Sequence, residues 1–261
     1  MTDTAQAFGV DIGGSGIKGA PVDLGKGDFA QPRLKILTPE LSTPEAVGGI
    51  VRQLLEHFEV PDNMPVGVAF PAPVKPGKPL DFMANLDQSW IGVDLEACFA
   101  EACGRPVTVV NDADAAGLAE VRYGAARGQK GLVVATTLGT GIGTALIYNG
   151  VLIPNSELGH IELPKGKGDA EKYAASSVKD AEDLGYKKWA KRLTKYYALL
   201  EHYLNPDLFV VGGGVSRDSQ KFLPYVDVKT PIVPAKLRNS AGIVGAAYYA
   251  DVKRWQGADQ S

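Results

Sequence analysis

Short apolar runs closed by glycine set the pattern of this chain. Residues 8–12 are strand-length and apolar apart from Asp11. They stop at Gly13-Gly14-Ser15-Gly16 and the pattern resumes over 17–22, which predicts a β-hairpin rather than the strand–turn–helix order of a dinucleotide fingerprint. Residues 34–37 predict a third strand. Thr43-Pro44-Glu45 supplies an N-cap, a first-position proline and an acidic first turn, and predicts a helix to about Phe58. The run 66–70 predicts a buried strand ending at Pro71, and the proline- and glycine-rich stretch 71–79 a surface loop.

Helical periodicity covers 94–103, a strand over 107–110 ends at Asn111-Asp112, and a helix starts near Ala113. The strand–turn–strand plan then returns, with 132–138 and 143–148 flanking Gly139-Thr140-Gly141-Ile142-Gly143. A charged loop at 164–169 leads into helix from about Ala170, and a long amphipathic helix is predicted over 187–204. Strand 208–211 runs into Gly212-Gly213-Gly214, and Asn239-Ser240 caps a closing helix to about Lys253. A matched glycine hairpin in each half predicts an α/β protein of two related lobes with mixed sheets and a cleft between them.

The chain has 261 residues, of which 45% are hydrophobic and 22% charged, enough for one large domain or two small lobes of ordinary globular composition. A net charge of −3 argues against binding nucleic acid or an anionic membrane by global charge, so any polyanionic substrate must meet a local basic patch. No apolar run approaches the roughly 20 residues of a membrane span. The opening MTDTAQAFGV lacks the basic flank and apolar stretch of a signal peptide. Cys98 and Cys103 form neither a disulfide framework nor a zinc-spaced pair, and the expected location is the cytoplasm.

The glycine turns carry the first candidate chemistry. Glycines let backbone N–H groups converge on an anion, so Gly13, Gly14 and Ser15 in the first turn and Gly139, Thr140, Gly141 and Gly143 in the second are candidate phosphate cradles. The alternative is a pair of plain tight hairpins; two matched turns favour the cradle. Phosphoryl transfer needs many oriented donors, because charge spreads over the transferring oxygens. Asp11 is placed to hold Mg2+ or its water shell, and Lys18 adds positive charge nearby.

Asn111 and Asp112 stand at the carboxyl end of a strand, where α/β proteins place their sites. There Asp112 can accept a proton from an attacking hydroxyl while Asn111 hydrogen-bonds a sugar, and both also suit helix capping. Glu157 and His160, three apart, suit chelation of adjacent hydroxyls, although a structural role for a lone histidine is the plainer reading. Gly212, Gly213 and Gly214 fit close backbone approach to a nucleotide or a strand-to-helix turn.

Taken together, DIGGSGIKG, NDADAAGLAE, LGTGIG, ELGH and VVGGG resemble, in order and over nearly the whole chain, the ROK family of repressors, open reading frames and sugar kinases. The stretches NLDQSWIGVD, NDADAAGLAEVRYGA, AASSVK and NSAGIVGAA are similar to its polyphosphate-using glucokinase branch. The resemblance implies a two-lobed actin-like ATPase (ribonuclease-H-like) fold. Residues 1–112 with about 240–255 would form the smaller N-terminal lobe, and 113–239 the larger C-terminal one. It implies phosphorylation of glucose at the 6-hydroxyl, with mannose left open, by polyphosphate or ATP with Mg2+. Asp112 is then the general base. Asn111, Glu157, His160 and Glu171 would bind sugar, with Asn85 a further candidate, and Gly212, Gly213 and Gly214 would face adenosine.

The family also implies a homodimer. Lys18, Lys75, Lys78, Lys165 and Lys167 are available to a polyphosphate donor, although each reads equally as a solvated lysine. Two departures from the family stand out. Residues 164–169 carry no cysteine where many members have a Cys-x-Cys-Gly-x-x-Gly-Cys zinc site, so no structural zinc is expected. The family's Pro-Gly loop reads Pro71-Ala72-Pro73. No DNA-binding extension precedes Phe8, which points to the kinase branch. An ATP-only hexokinase, a non-catalytic sugar sensor and a cytoskeletal actin-like ATPase stay open as alternatives.

Overall fold

A computed structural model describes residues 5–83 and 86–258, with side chains to 254. In chain order the elements are β1 (Gln6–Gly13), β2 (Gly16–Asp23), β3 (Asp28–Phe29), β4 (Leu34–Ile36), α1 (Pro44–His57), β5 (Val66–Phe70), α2 (Leu95–Cys103), β6 (Thr108–Asn111) and α3 (Asp112–Arg122). They continue as β7 (Leu132–Leu138), β8 (Ile142–Tyr148), β9 (Val151–Ile153), β10 (Glu162–Leu163), β11 (Gly168–Asp169), α4 (Ala170–Ala174), α5 (Ser176–Ala181) and α6 (Tyr186–Leu204). The last are β12 (Leu208–Gly212), α7 (Ser219–Phe222), β13 (Ile232–Pro234) and α8 (Ala241–Ala258).

Two compact units result, one from the described residues up to Ala115 with those from Ser240 on, the other from Ala116–Asn239. In the first the strand order is β3-β2-β1-β5-β6, with β4 also on β2. β1 runs antiparallel to β2 and parallel to β5, which is parallel to β6. In the second the order is β13-β12-β7-β8-β9. β7 runs antiparallel to β8 and parallel to β12, which is parallel to β13. Each sheet is therefore an antiparallel hairpin extended by two parallel strands, the duplication that the paired glycine hairpins predict.

Local chemistry starts the helices where expected. Thr43 Oγ1 accepts the Ala46 N–H at 3.3 Å to open α1, and Asp94 Oδ1 accepts from Ala97 at 3.1 Å to open α2, which closes on left-handed Gly104. The first core centres on Phe70, Trp90 and Phe99, with the Trp90 indole N–H donating to the Ser42 carbonyl at 2.7 Å. The second is built on the buried row Trp189, Ala190, Leu193, Tyr196, Tyr197 and Leu200 of α6.

α8 lies against β1 and β5 at backbone distance, because the strands present glycine there. A Cβ on Gly67 would sit 2.0 Å from the Ala246 carbonyl oxygen, and one on Gly9 2.0 Å from that of Ile243. Backbone cannot yield as a side-chain tip can. Gly67→Ala should therefore lower unfolding stability by about 1–3 kcal/mol, read as an earlier urea midpoint; an unchanged midpoint would show that α8 lifts off without cost.

β3, β9 and β13 were not expected, nor was the two-residue β10–β11 pair that brackets residues 164–167. These strands are two or three residues long and owe their form to a neighbour's edge rather than to periodicity. α8 also continues past Lys253 to Ala258. Among the described residues no helix is long and apolar enough to cross a membrane.

Candidate active site

In the first unit the parallel strands β1, β5 and β6 end on one side of the sheet, and the candidate residues cluster there. Asp11 pairs in register with Ala69, and Phe70 with Asn111. Asp11 and Asn111 thus stand two strands apart, about 10 Å by the usual strand spacing. Across the hairpin Asp11 faces Lys18, whose Nζ lies 3.1 Å from Oδ2, both side chains 22% exposed. Gly14 and Ser15 are exposed at the tip, and Thr38 Oγ1 donates to the Gly13 carbonyl at 2.5 Å, tethering the turn. Gly242, in the first turn of α8, closes on Asp11; a Cβ there would lie 3.1 Å from Oδ1.

The Asp11 carboxylate is already shared with the Lys18 ammonium group. No set of three His, Cys, Asp or Glu side chains among the described residues forms a metal cluster. A hard dication takes about six oxygens. This donor set would fit an ion that arrives with phosphate oxygens and its own water.

Asn111 is 8% exposed and committed by its neighbours. Its Oδ1 accepts the N–H groups of Ala113 at 2.9 Å and Asp114 at 3.1 Å, and its Nδ2 donates to the Ala72 carbonyl at 3.2 Å. Two acceptor positions and one donor are used, so the side chain can offer a ligand only its second amide hydrogen. The same bonds cap α3 and anchor the Pro71-Ala72-Pro73 loop. Asp112, the first residue of α3, is half-buried, and its Oδ1 accepts the Ala113 N–H at 2.7 Å. Asn85 lies outside the described residues.

In the second unit the turn after β7 is held from three sides. The Gly139 N–H donates to the Gly141 carbonyl at 2.9 Å. Ser177 of α5 gives its N–H to the Gly139 carbonyl at 3.0 Å and its hydroxyl to that of Thr140 at 2.6 Å. Glu171 Oε2 accepts the Ile142 N–H at 2.8 Å. That carboxylate stands where a Cβ on Gly141 would be, 2.1 Å away, and Gly143 pairs with Thr137 at the start of β8. Gly212 pairs with Thr137 on the other edge, and Gly213, at φ 81°, approaches Leu138 so closely that a Cβ would lie 2.2 Å from its carbonyl oxygen. Gly212 and Gly213 therefore adjoin the end of β7, next to the Gly139–Gly143 turn, with backbone in place of side chains.

Glu157, His160 and Glu171 are brought into electrostatic range of one another. The segment 157–160 docks on β8: Leu158 N–H donates to Thr144 Oγ1 at 3.1 Å, and a Cβ on Gly159 would meet the Ile142 carbonyl oxygen at 1.9 Å. Glu157 as a residue is exposed, yet partial burial of its carboxyl raises its pKa; His160 opposes the rise and Glu171 adds to it. The His160 pKa is raised first by its hydrogen bond to Asp169, against partial burial, with Glu171, Asp169 and Glu157 adding charge attraction.

Asp169 is the residue that the sequence reading missed. Its Oδ2 lies 2.9 Å from His160 Nδ1, and its Oδ1 accepts the N–H groups of Glu171 at 2.8 Å and Lys172 at 3.2 Å. One carboxylate thus caps α4 and orients the imidazole, at the end of the cysteine-free segment 164–169. An aspartate just before a predicted helix is a legible N-cap signal; its partnership with His160, nine residues back, depends on the β10–β11 hairpin.

A model of the ROK family matches residues 7–175. A polyphosphate glucokinase from Mycobacterium tuberculosis is 49% identical over 247 residues, covering 94% of this chain and 91% of that protein. The crystal structure of an inorganic polyphosphate/ATP-glucomannokinase from Arthrobacter sp. strain KM superposes with a TM-score of 0.88 at 44% identity, covering 95% of this chain and 99% of that one. A ROK family glucokinase from Streptomyces griseus, solved with glucose and AMPPNP, shares the fold with a TM-score of 0.77 at 24% identity, covering 95% and 99%. The fold is that of the actin-like ATPases.

Proposed function

The chain belongs to the ROK family, and on that premise we propose that it phosphorylates glucose at the 6-hydroxyl with inorganic polyphosphate or ATP as donor. What supports the reading most is the 49% identity, over 94% of the chain, to a polyphosphate glucokinase. The duplicated glycine turns, the Asn111–Asp112 pair and the Glu157–His160–Glu171 group supply the residue types that the reaction needs.

In this reading Glu157, His160, Glu171 and the remaining amide hydrogen of Asn111 hold the sugar. The 6-hydroxyl oxygen attacks the terminal phosphorus in line as its proton passes to Asp112. One phosphoanhydride P–O bond breaks, and the donor leaves one phosphate shorter. Backbone N–H groups of the two turns, with Lys18, receive the charge on the transferring oxygens. Mg2+ arriving with the donor would add positive charge there, and Asp11 would hold its water shell.

The test is a donor panel. Purified protein with glucose and Mg2+ is given ATP or polyphosphate, and glucose 6-phosphate is followed by a coupled dehydrogenase. Turnover is expected with both; turnover with ATP alone would remove polyphosphate from the reading.

A further inference from the structure

α6 carries its charge in an arrangement that its fold does not require. Its buried side is the row that builds the second core. On the other side Lys187, Lys191 and Lys195 follow at i, i+4 and i+8, all exposed, with Lys188 and Arg192 beside them. By helix rise the row is about 12 Å long. No Asp or Glu occurs on α6 before Glu201. Like charges four apart repel, and cations in a first turn oppose the helix dipole. An ordinary solvated face mixes signs. Among the described residues only Arg192 of this group is matched by a carboxylate, through a two-pronged contact with Glu182.

The positive charge continues at both ends of the row. Lys187 Nζ lies 4.8 Å from the centre of the Tyr225 ring. At the other end Lys195 donates to the Tyr173 hydroxyl at 3.0 Å, and Lys167 lies 5.1 Å from the same ring. Residues 165–195 hold nine lysines and arginines against five carboxylates, in a chain whose totals are 27 against 30. This is the local basic patch that an acidic protein needs if its substrate is a polyanion.

The row also adjoins the donor side of the same unit. Tyr186, at the start of α6, donates to Asp218 Oδ2 at 3.0 Å, and Trp189 meets Phe222 at 4.7 Å, so α6 packs on the segment that leaves Gly212-Gly213-Gly214. α5, just before it, holds the phosphate turn through Ser177.

We propose that the Lys187–Lys191–Lys195 face of α6 is the surface along which the distal part of a linear polyphosphate donor lies. The proposal rests on the polyphosphate reading above. Nucleic acid is the other long phosphate polymer, but single strands are held largely by stacking on open aromatic faces. Here each ring at the two ends already has a cation against it, Lys187 at Tyr225 and Lys167 and Arg192 at Tyr173. A bare phosphate chain needs no stacking.

The experiment compares the wild type with the triple variant Lys187→Gln/Lys191→Gln/Lys195→Gln, which exchanges residues of similar helix propensity. KM is measured for long-chain polyphosphate, tripolyphosphate and ATP at several salt concentrations, with binding of a single-stranded RNA alongside. The long-chain KM should rise about 10- to 100-fold, and the salt slope of log affinity should flatten by about 2. Values for ATP and tripolyphosphate should stay put, because only the distal part of a long chain is assigned to the row.

An unchanged long-chain KM and slope would overturn the surface alone. A wild type that uses ATP but no polyphosphate would overturn the donor reading and the surface with it. An equal loss with all three donors, or RNA binding as tight as polyphosphate that vanishes in the variant, would assign the row to something else.

Discussion

Asp112→Asn should lower turnover by about 10²–10⁴-fold, the usual worth of a positioned base, while glucose still binds. The asparagine oxygen can keep the 2.7 Å bond from the Ala113 N–H. The cap of α3 is supplied by Asn111, which the change does not touch. What disappears is a carboxylate able to take the proton of the 6-hydroxyl. Turnover from initial rates and sugar affinity by titration calorimetry separate the two effects. Near-wild-type turnover would remove Asp112 from the chemistry, and lost affinity with retained turnover would make it a sugar ligand instead.

The second large effect is expected at Asp169. The carboxylate accepts the Nδ1–H of His160, which leaves Nε2 of the neutral ring as an acceptor. In Asp169→Asn the amide oxygen can still cap α4, and Asn ranks with Asp at that position. Its NH2 group then faces Nδ1, which must accept, so the proton moves to Nε2 and the ring's polarity toward the sugar reverses. The KM for glucose should rise about 10- to 100-fold, the cost of an unmatched polar group, with a smaller fall in kcat and little change in melting temperature.

The pH profile gives an independent readout. The raised His160 pKa has the Asp169 bond as its leading cause, with Glu171 and Glu157 adding to it. The stability that this pairing lends is fully present below the ordinary histidine pKa and is lost as pH rises through the raised value. In the variant the histidine transition should move to lower pH. An unchanged KM and an unmoved transition would show Asp169 to be a helix cap and nothing more; Asp169→Ala, which removes cap and partner together, should melt earlier as well.

Much of this was legible along the chain. The hairpins of β1–β2 and β7–β8, the cap at Thr43, and the strand ending at Asn111 follow from apolar alternation, glycine and capping chemistry, all properties of neighbouring residues. The short strands β3, β9 and β13 were not legible, because two or three residues have no periodicity to read and are held by a partner's edge. Gly159 reads as part of a motif, but the reason for a glycine is the Ile142 carbonyl oxygen at the place a Cβ would take. The lysines of α6 read one by one as solvated; as one row on one face they become a surface.

By itself the sequence determined the duplicated α/β plan, the two glycine turns, the Asn–Asp pair at a strand end and the family. These depend on local backbone preference and on motifs that survive as strings. Tertiary structure alone decided that Asp169 holds His160, that Asn111 has one amide hydrogen left to give, that Glu171 braces the Ile142 amide, and that Gly213 lies against Leu138. Each is a hydrogen bond or a close approach between residues that only folding makes neighbours. Its strength depends on distances of a few ångströms, which residue order does not contain.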